Sequence, residues 1–364
     1  ICACLVGSEM CIRDSKTAEP FLPAGTVIAR EQTYVHTFYK KEATAQQPAT
    51  SKEEGNLVAL SGPDFKATFD KQSGLLTSYL YKKHEYILNG QGPRPFFWRA
   101  PTDNDYGANL PVRLKAWKEA SYQEPKAESF QVTPGSNATT VKVTYRFPQT
   151  EARWNITYKI YASGVIKVDN RFMAEGDQAP MIPRVGLRMQ LPESFTDLTY
   201  YGRGPKENYR DRRTSQFIGE YAIPVKDMYE PYVRPQENNH RTDIYWCALT
   251  DKTQRGLLLI ADRTFELNAS NYPLESMDSG DTIDNGAPRT EKTHHRHLTD
   301  PLPEKMVDLF IDYRMMGVGG DDSWGATAHE PYLIRPGKEN AIEYGFSLVP
   351  FDKKEDYKYL IQQY

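Results

Sequence analysis

Residues 154–172 read WNITYKIYASGVIKVDNRF, and this stretch decides the fold class. Trp154, Ile156, Tyr158 and Ile160 recur at every second position, which places them on one face of a strand. Ser163 and Gly164 supply a reversal, and Ile166, Val168 and Phe172 carry the same period back. Upstream, VKVTYRFP (141–148) alternates Val141, Val143, Tyr145 and Phe147 with Lys142, Thr144 and Arg146. Downstream, VGLRMQL (185–191) does the same with Val185, Leu187, Met189 and Leu191. Further strands are expected at 64–70, 74–82, 196–202, 241–250, 255–262, 305–313 and 341–349. Helical spacing is confined to LPVRLKAWKEA (110–120) and to the last residues, KKEDYKYLIQQY (353–364). Strands and helices do not alternate, which argues against a βα barrel or a doubly wound sheet. The expectation for residues 56–352 is therefore all-β, one large antiparallel sandwich, followed by a tail at 353–364.

The bulk composition narrows the function. Among 364 residues, 45 basic and 48 acidic side chains leave a formal charge of -3. Nucleic-acid binding, which rewards a clustered basic excess, is not expected. A membrane partner is not expected either, because no apolar run approaches the ~20 residues a spanning helix needs. Cys2, Cys4 and Cys11 sit at the start and Cys247 stands alone, so the body has no cysteine framework.

The opening ICACLVGSEMCIRDS (1–15) lacks a basic n-region and loses its apolar character at Gly7, unlike a secretory signal. It is read as a non-native leader. PFLPAGTVIAREQTYVHTFYK (20–40) holds one or two strands, and 16–40 is expected to finish a preceding domain. KEATAQQPATSKEEG (41–55) has linker composition.

Four segments break the strand grammar, with polar residues crowded among Gly, Pro and aromatics: FFWRAPTDNDYG (96–107), YGRGPKENYRDR (201–212), PYVRPQENNHR (231–241) and GVGGDDSWGA (317–326). Such loops cost backbone entropy, so they are either functional or locked by hydrogen bonds. These segments, in this order, resemble the C-terminal small-chain domain of the lactose-hydrolysing β-galactosidases of glycoside hydrolase family 2. FDKQSGLLTSYLYKKHEYI (69–87) resembles the hairpin that opens that domain, and PFLPAGTVIAREQ resembles the end of the immunoglobulin-like domain before it.

The resemblance implies a galactose-mutarotase-like supersandwich. It also implies a parent enzyme that cleaves terminal β-galactosides with retention, using two glutamates in a TIM barrel outside this chain. None of the acids here maps onto that pair. The implied partners are a β-galactoside and the parent's remaining domains, in a homo-oligomer. No cofactor is implied for this domain, since Mg and Na belong to the other parts of the parent. Two features reach the sugar in the family: Trp324 of DDSW, packed on the ring at the outer end of the pocket, and a mobile loop, here Tyr106, Gly107, Ala108 and Asn109. A pyranose presents a face of C–H groups that suits an indole.

The remaining polar residues carry a plainer expectation. Arg99 with Asp103, Asn104 and Asp105 reads as a salt-bridged turn closed by Asx side chains. Glu207, Asn208, Asp211 and Arg212, like Glu237, Asn238 and Arg241, read as loops stiffened by paired charges rather than as a catalytic cluster. Asp321 and Asp322 supply only part of the oxygen shell a hard cation needs, and turn hydrogen bonds are expected of them instead. His294, His295 and His297 lack the separated ligands of a zinc site. Two other functions compete: a free-standing mutarotase, for which His240 and Glu237 are the one available acid–base pair, and a non-catalytic carbohydrate-binding module.

Overall fold

The computed structural model describes residues 6–37, 46–176, 180–280, 297–322 and 325–363. The chain opens with a hairpin of β1 (Val6–Asp14) and β2 (Val27–Thr37). A five-stranded sheet follows: β3 (Thr50–Glu54), β4 (Leu57–Ser61), β5 (Phe65–Asp70), β6 (Leu76–Tyr81) and β7 (His84–Glu85). After β8 (Arg94–Phe96) come three short helices, α1 (Asp103–Gly107), α2 (Leu110–Arg113) and α3 (Lys115–Tyr122). The strands β9 (Ala127–Thr133), β10 (Thr139–Phe147), β11 (Ala152–Ile160) and β12 (Ile166–Ala174) then form a meander. The rest of the chain supplies β13 (Arg184–Pro192), β14 (Asp197–Gly204), β15 (Phe217–Pro224), β16 (Arg241–Thr250), β17 (Gly256–Ser270), β18 (Met306–Met315), β19 (Ile342–Phe351) and α4 (Tyr357–Gln363).

The decisive hairpin has the register its pattern requires. Trp154 faces Phe172, Tyr158 faces Val168 and Ile160 faces Ile166, so both apolar faces meet the core. Asn170 opposes Ile156 on that same face, and the Trp154 indole N–H donates to its Oδ1 at 3.0 Å. β10 extends the stripe, with Tyr145 beside Trp154 and Val143 beside Ile156.

Twelve strands join in one antiparallel sheet that branches at β17. The first half of this 15-residue strand lies between β16 and β19, and its second half, Glu266–Ser270, pairs with β18. β18 continues to β13 and then to β8. A flat sheet cannot satisfy both halves, so the strand bends and the sheet curls around its own core. The five-stranded sheet closes the other side. Phe69 meets Tyr158 edge-on at 5.1 Å, and the Tyr79 hydroxyl donates to the Gly164 carbonyl at 2.6 Å. Val58, Leu60, Phe69, Trp154, Ile156 and Leu187 all belong to a single buried cluster. The fold is a large antiparallel β-supersandwich.

Several boundaries differ from the sequence reading. Residues 50–54 carry linker composition, yet they pair with β4 as β3, because Ala49 is buried and Pro48 bridges to Tyr161. Residues 6–14, set aside as a leader, pair along their length with β2. The single helix expected over 110–120 breaks at Leu114 into α2 and α3. The strands β9 and β15 had not been expected.

Candidate functional site

β8, β13, β18 and the second half of β17 carry charged residues on one face. The register sets Glu266 opposite Asp312 and Asn268 opposite Phe310, with Gly186 and Arg188 in the next strand. Arg188 is bidentate to Asp308, both contacts at 2.8 Å, and reaches Glu275 at 2.5 Å. Arg184 stands between Asp312 at 3.3 Å and Glu237 at 3.5 Å, with its guanidinium over the Phe310 ring at 4.1 Å. Solvent would be the usual partner of such a face. Here Arg184, Glu266 and Asp312 are buried, because the polar loops cover them.

Those loops interlock through the residues singled out in the sequence. Arg99 is bidentate to Asp105, at 2.8 and 3.0 Å, and donates to the carbonyls of Met316 and Gly317 at 2.7 and 3.0 Å. Asp105 also completes a capping box with Thr102 at the start of α1. Asp211 accepts from the backbone N–H groups of Val318 and Gly319 at 3.2 and 2.7 Å. A side chain at Gly317 would strike Asp211, since an added Cβ would lie 2.7 Å from its carboxyl. Glu207 accepts from Arg212 at 2.5 Å, from the Asn239 N–H at 2.8 Å, and from the Tyr232 hydroxyl. Asn208 accepts from the Thr242 N–H at 3.0 Å and its hydroxyl at 2.6 Å. Glu237 takes the Asn268 amide at 3.0 Å. The Asn238 Oδ1 accepts from the Glu230 N–H at 3.3 Å, and Arg241 donates to the Tyr200 hydroxyl at 3.2 Å.

The braced loops leave an open cleft of about 340 Å³, lined by Asp103, Asn104, Tyr209, Arg212, Tyr232 and Val318 among others. Each of the four segments contributes to it or to its support. Beside it, Tyr106 is buried and donates to the Gly280 carbonyl at 3.2 Å, and Arg234 stacks on its ring at 4.4 Å. Gly107 and Asn109 are exposed, and Asn109 turns the chain with φ of 55°. Gly325 packs so closely on this turn that an added Cβ would lie 2.7 Å from the Gly107 carbonyl oxygen. Trp324 lies outside the described residues, as do His294 and His295. Asp321 pairs with His329 at 2.7 Å, and Asp322 accepts from the Ala326 N–H at 3.2 Å. Among the described residues, no group of three His, Cys, Asp or Glu could hold a metal.

Beneath the cleft, His240 bonds Asn268 through Nδ1 at 2.6 Å and Glu266 through Nε2 at 3.0 Å. Burial disfavours the imidazolium, but the Glu266 hydrogen bond and charge outweigh it and raise its pKa. Burial likewise works against ionised Glu266, and the contacts with His240 and Arg210 still hold its pKa below the ordinary value. Asp312 goes the other way. Burial pushes its pKa from 3.8 up to about 7, against the pull of Arg184 and His240. Neither of its oxygens completes a hydrogen bond, even though Arg184 is within ion-pair reach. Glu237 lines the cleft, but His240 does not and is spent on Asn268 and Glu266, so the two do not converge there as a mutarotase would need.

Arg184, Glu266, Asn268 and Asp312 were missed in the sequence because polar residues in alternating strands read as solvent-facing. A signal was present. Arg184 and Arg188 in one strand and Asp308 and Asp312 in another repeat at intervals of four, which puts each pair on one face.

A polar cleft braced on a curled antiparallel sheet defines the class, a β-supersandwich whose polar loops border one open cleft. The family described as "Beta galactosidase small chain" matches residues 61–348, and the chain belongs to that family. Similar proteins include the β-galactosidases of Priestia megaterium, 33% identical over 80% of this chain and 26% of that enzyme, and Lactobacillus delbrueckii subsp. bulgaricus, 32% identical over 82% and 28%. That of Streptococcus thermophilus is 28% identical over 88% of this chain and 29% of the enzyme. The chain therefore spans little more than a quarter of these relatives. Solved structures of similar outline include a GalM/aldose epimerase homologue from C. elegans, with TM-score 0.44 and 9% identity over 83% of this chain and 99% of that one. Galactose 1-epimerase from Lactobacillus acidophilus has TM-score 0.42 and 7% identity over 85% and 99%.

Proposed function

We propose that this chain is the small-chain domain of a retaining β-galactosidase of glycoside hydrolase family 2, acting on terminal β-D-galactosides such as lactose. It completes the sugar site and buttresses the barrel that carries the two catalytic glutamates. The observation that carries this reading is the convergence of all four polar loops on one cleft, each fixed by charged hydrogen bonds to the next. Retaining hydrolysis needs two carboxyls ~5–5.5 Å apart, one as nucleophile and one as acid/base. Four acids of these loops are committed otherwise: Asp105 to Arg99, Asp211 to backbone N–H groups, Glu207 to Arg212 and Tyr232, Glu237 to Asn268.

The domain's contribution is therefore binding and support. Trp324 offers an aromatic platform for the sugar or its aglycone, worth ~0.5–1.5 kcal/mol, or about two- to twelvefold in affinity. In the enzyme containing this chain, Trp324→Ala is expected to raise the glucose inhibition constant severalfold while sparing kcat on an activated galactoside. An unchanged inhibition constant removes Trp324 from the site.

A further inference from the structure

A second and larger cavity, about 740 Å³, opens on the exposed faces of β11, β12, β17, β18 and β19 and shares no lining residue with the four-loop cleft. Its volume falls within the range of small-molecule sites. Its acids already have cations. Asp169 is 3.2 Å from Lys159 and 3.4 Å from Lys167, Lys167 also pairs with Asp262, and Glu343 is 3.0 Å from Arg171. Arg210, at the border with the buried ladder, is taken by Glu266 at 2.6 Å.

Arg314 is different. Its Nε is buried without a hydrogen-bond partner, and among the described residues no carboxylate pairs with its guanidinium. Its contact is the Tyr313 ring, 5.2 Å away. Burial and the positive charge of nearby Arg210 oppose its cationic form, outweigh the pull of Tyr313 and Glu266, and lower its pKa. Arg263, exposed on the same wall, has no carboxylate paired with it among the described residues. A half-buried guanidinium with an unused donor suits an oxyanion, which its planar fork can bind through two hydrogen bonds. The hydroxyl and amide groups of Asn155, Thr157 and Thr264 on the same floor suit a polyhydroxylated frame.

We propose that this groove binds a sugar bearing an oxyanion, a carboxylate or a phosphate, with Arg314 as the anion receptor. The inference stands independently of the galactosidase reading. Titration calorimetry on the full 364-residue chain tests it, using galacturonate, galactose 6-phosphate, galactose and inorganic phosphate. At least one acidic sugar is expected to bind about tenfold more tightly than galactose or phosphate alone, and the ratio of the two acidic sugars assigns carboxylate or phosphate as the source. Arg314→Gln, with folding checked by circular dichroism, is expected to abolish the preference. Should that variant fail to fold, Arg314→Lys keeps the charge, loses the fork, and is expected to weaken the acidic sugar severalfold. Acidic sugars no tighter than galactose, a preference that survives Arg314→Gln or is undiminished in Arg314→Lys, or phosphate binding as tightly as both sugars would each overturn the proposal.

Discussion

Asp312 holds its proton in the folded chain up to about pH 7, whereas an unfolded aspartate releases it near 3.8. Between those values the folded state binds more protons, so this residue's contribution to stability falls as pH rises through the window. His240, raised above 6.5, acts in the same direction at the upper end. Asp312→Asn mimics the protonated acid. Its melting temperature is expected to match the parent near pH 4 and to exceed it by a margin that grows from pH 5 to pH 8. Superimposable pH profiles would show that Asp312 ionises normally. Arg99 makes the opposite kind of prediction. Arg99→Ala leaves Asp105 buried and unpaired and strips donors from two carbonyls, an expected loss of ~3–5 kcal/mol by denaturant unfolding. A loss below ~1 kcal/mol would mean the loops are held elsewhere. The Arg99–Asp105 pair was legible from the motif alone, because both partners lie within six residues. The Arg184–Asp312 pair was not, since its partners come from strands whose pairing the sequence does not state.

Among the elements, period two was enough wherever one strand face meets the core. Thus β10, β11, β12 and β13 lie where the alternation placed them. It failed at the edges. β9 reads AESFQVT and exposes most of its residues, so pairing with β10 rather than burial makes it a strand. β15 is a second such edge. It also failed at Asn170, a polar residue on the core face, where a tryptophan N–H replaces water. The central meander should carry much of the fold's stability. Ile156, fully buried between β10 and β12, is expected to lose ~2–5 kcal/mol on truncation to alanine. A cost under ~1 kcal/mol would mean that the meander is not the core's centre.

At the scale of the whole molecule, the curled sheet serves the loops. Bending β17 lets one strand belong to the sandwich and also floor the polar ladder beneath the cleft. The sequence carried the motif loops and their order, but not the charged strand face that supports them, because burial of that face is imposed by loops distant in the chain. On the proposed function, this domain supplies binding surface and rigidity, and bond cleavage belongs to carboxylates outside it. The direct test is turnover of o-nitrophenyl β-D-galactoside by this purified chain, side by side with the longer enzyme proposed to contain it. Release of o-nitrophenol is expected from the longer enzyme and none above the buffer blank from the chain alone. Turnover that scales with the concentration of the chain, or no turnover by either protein, would contradict it.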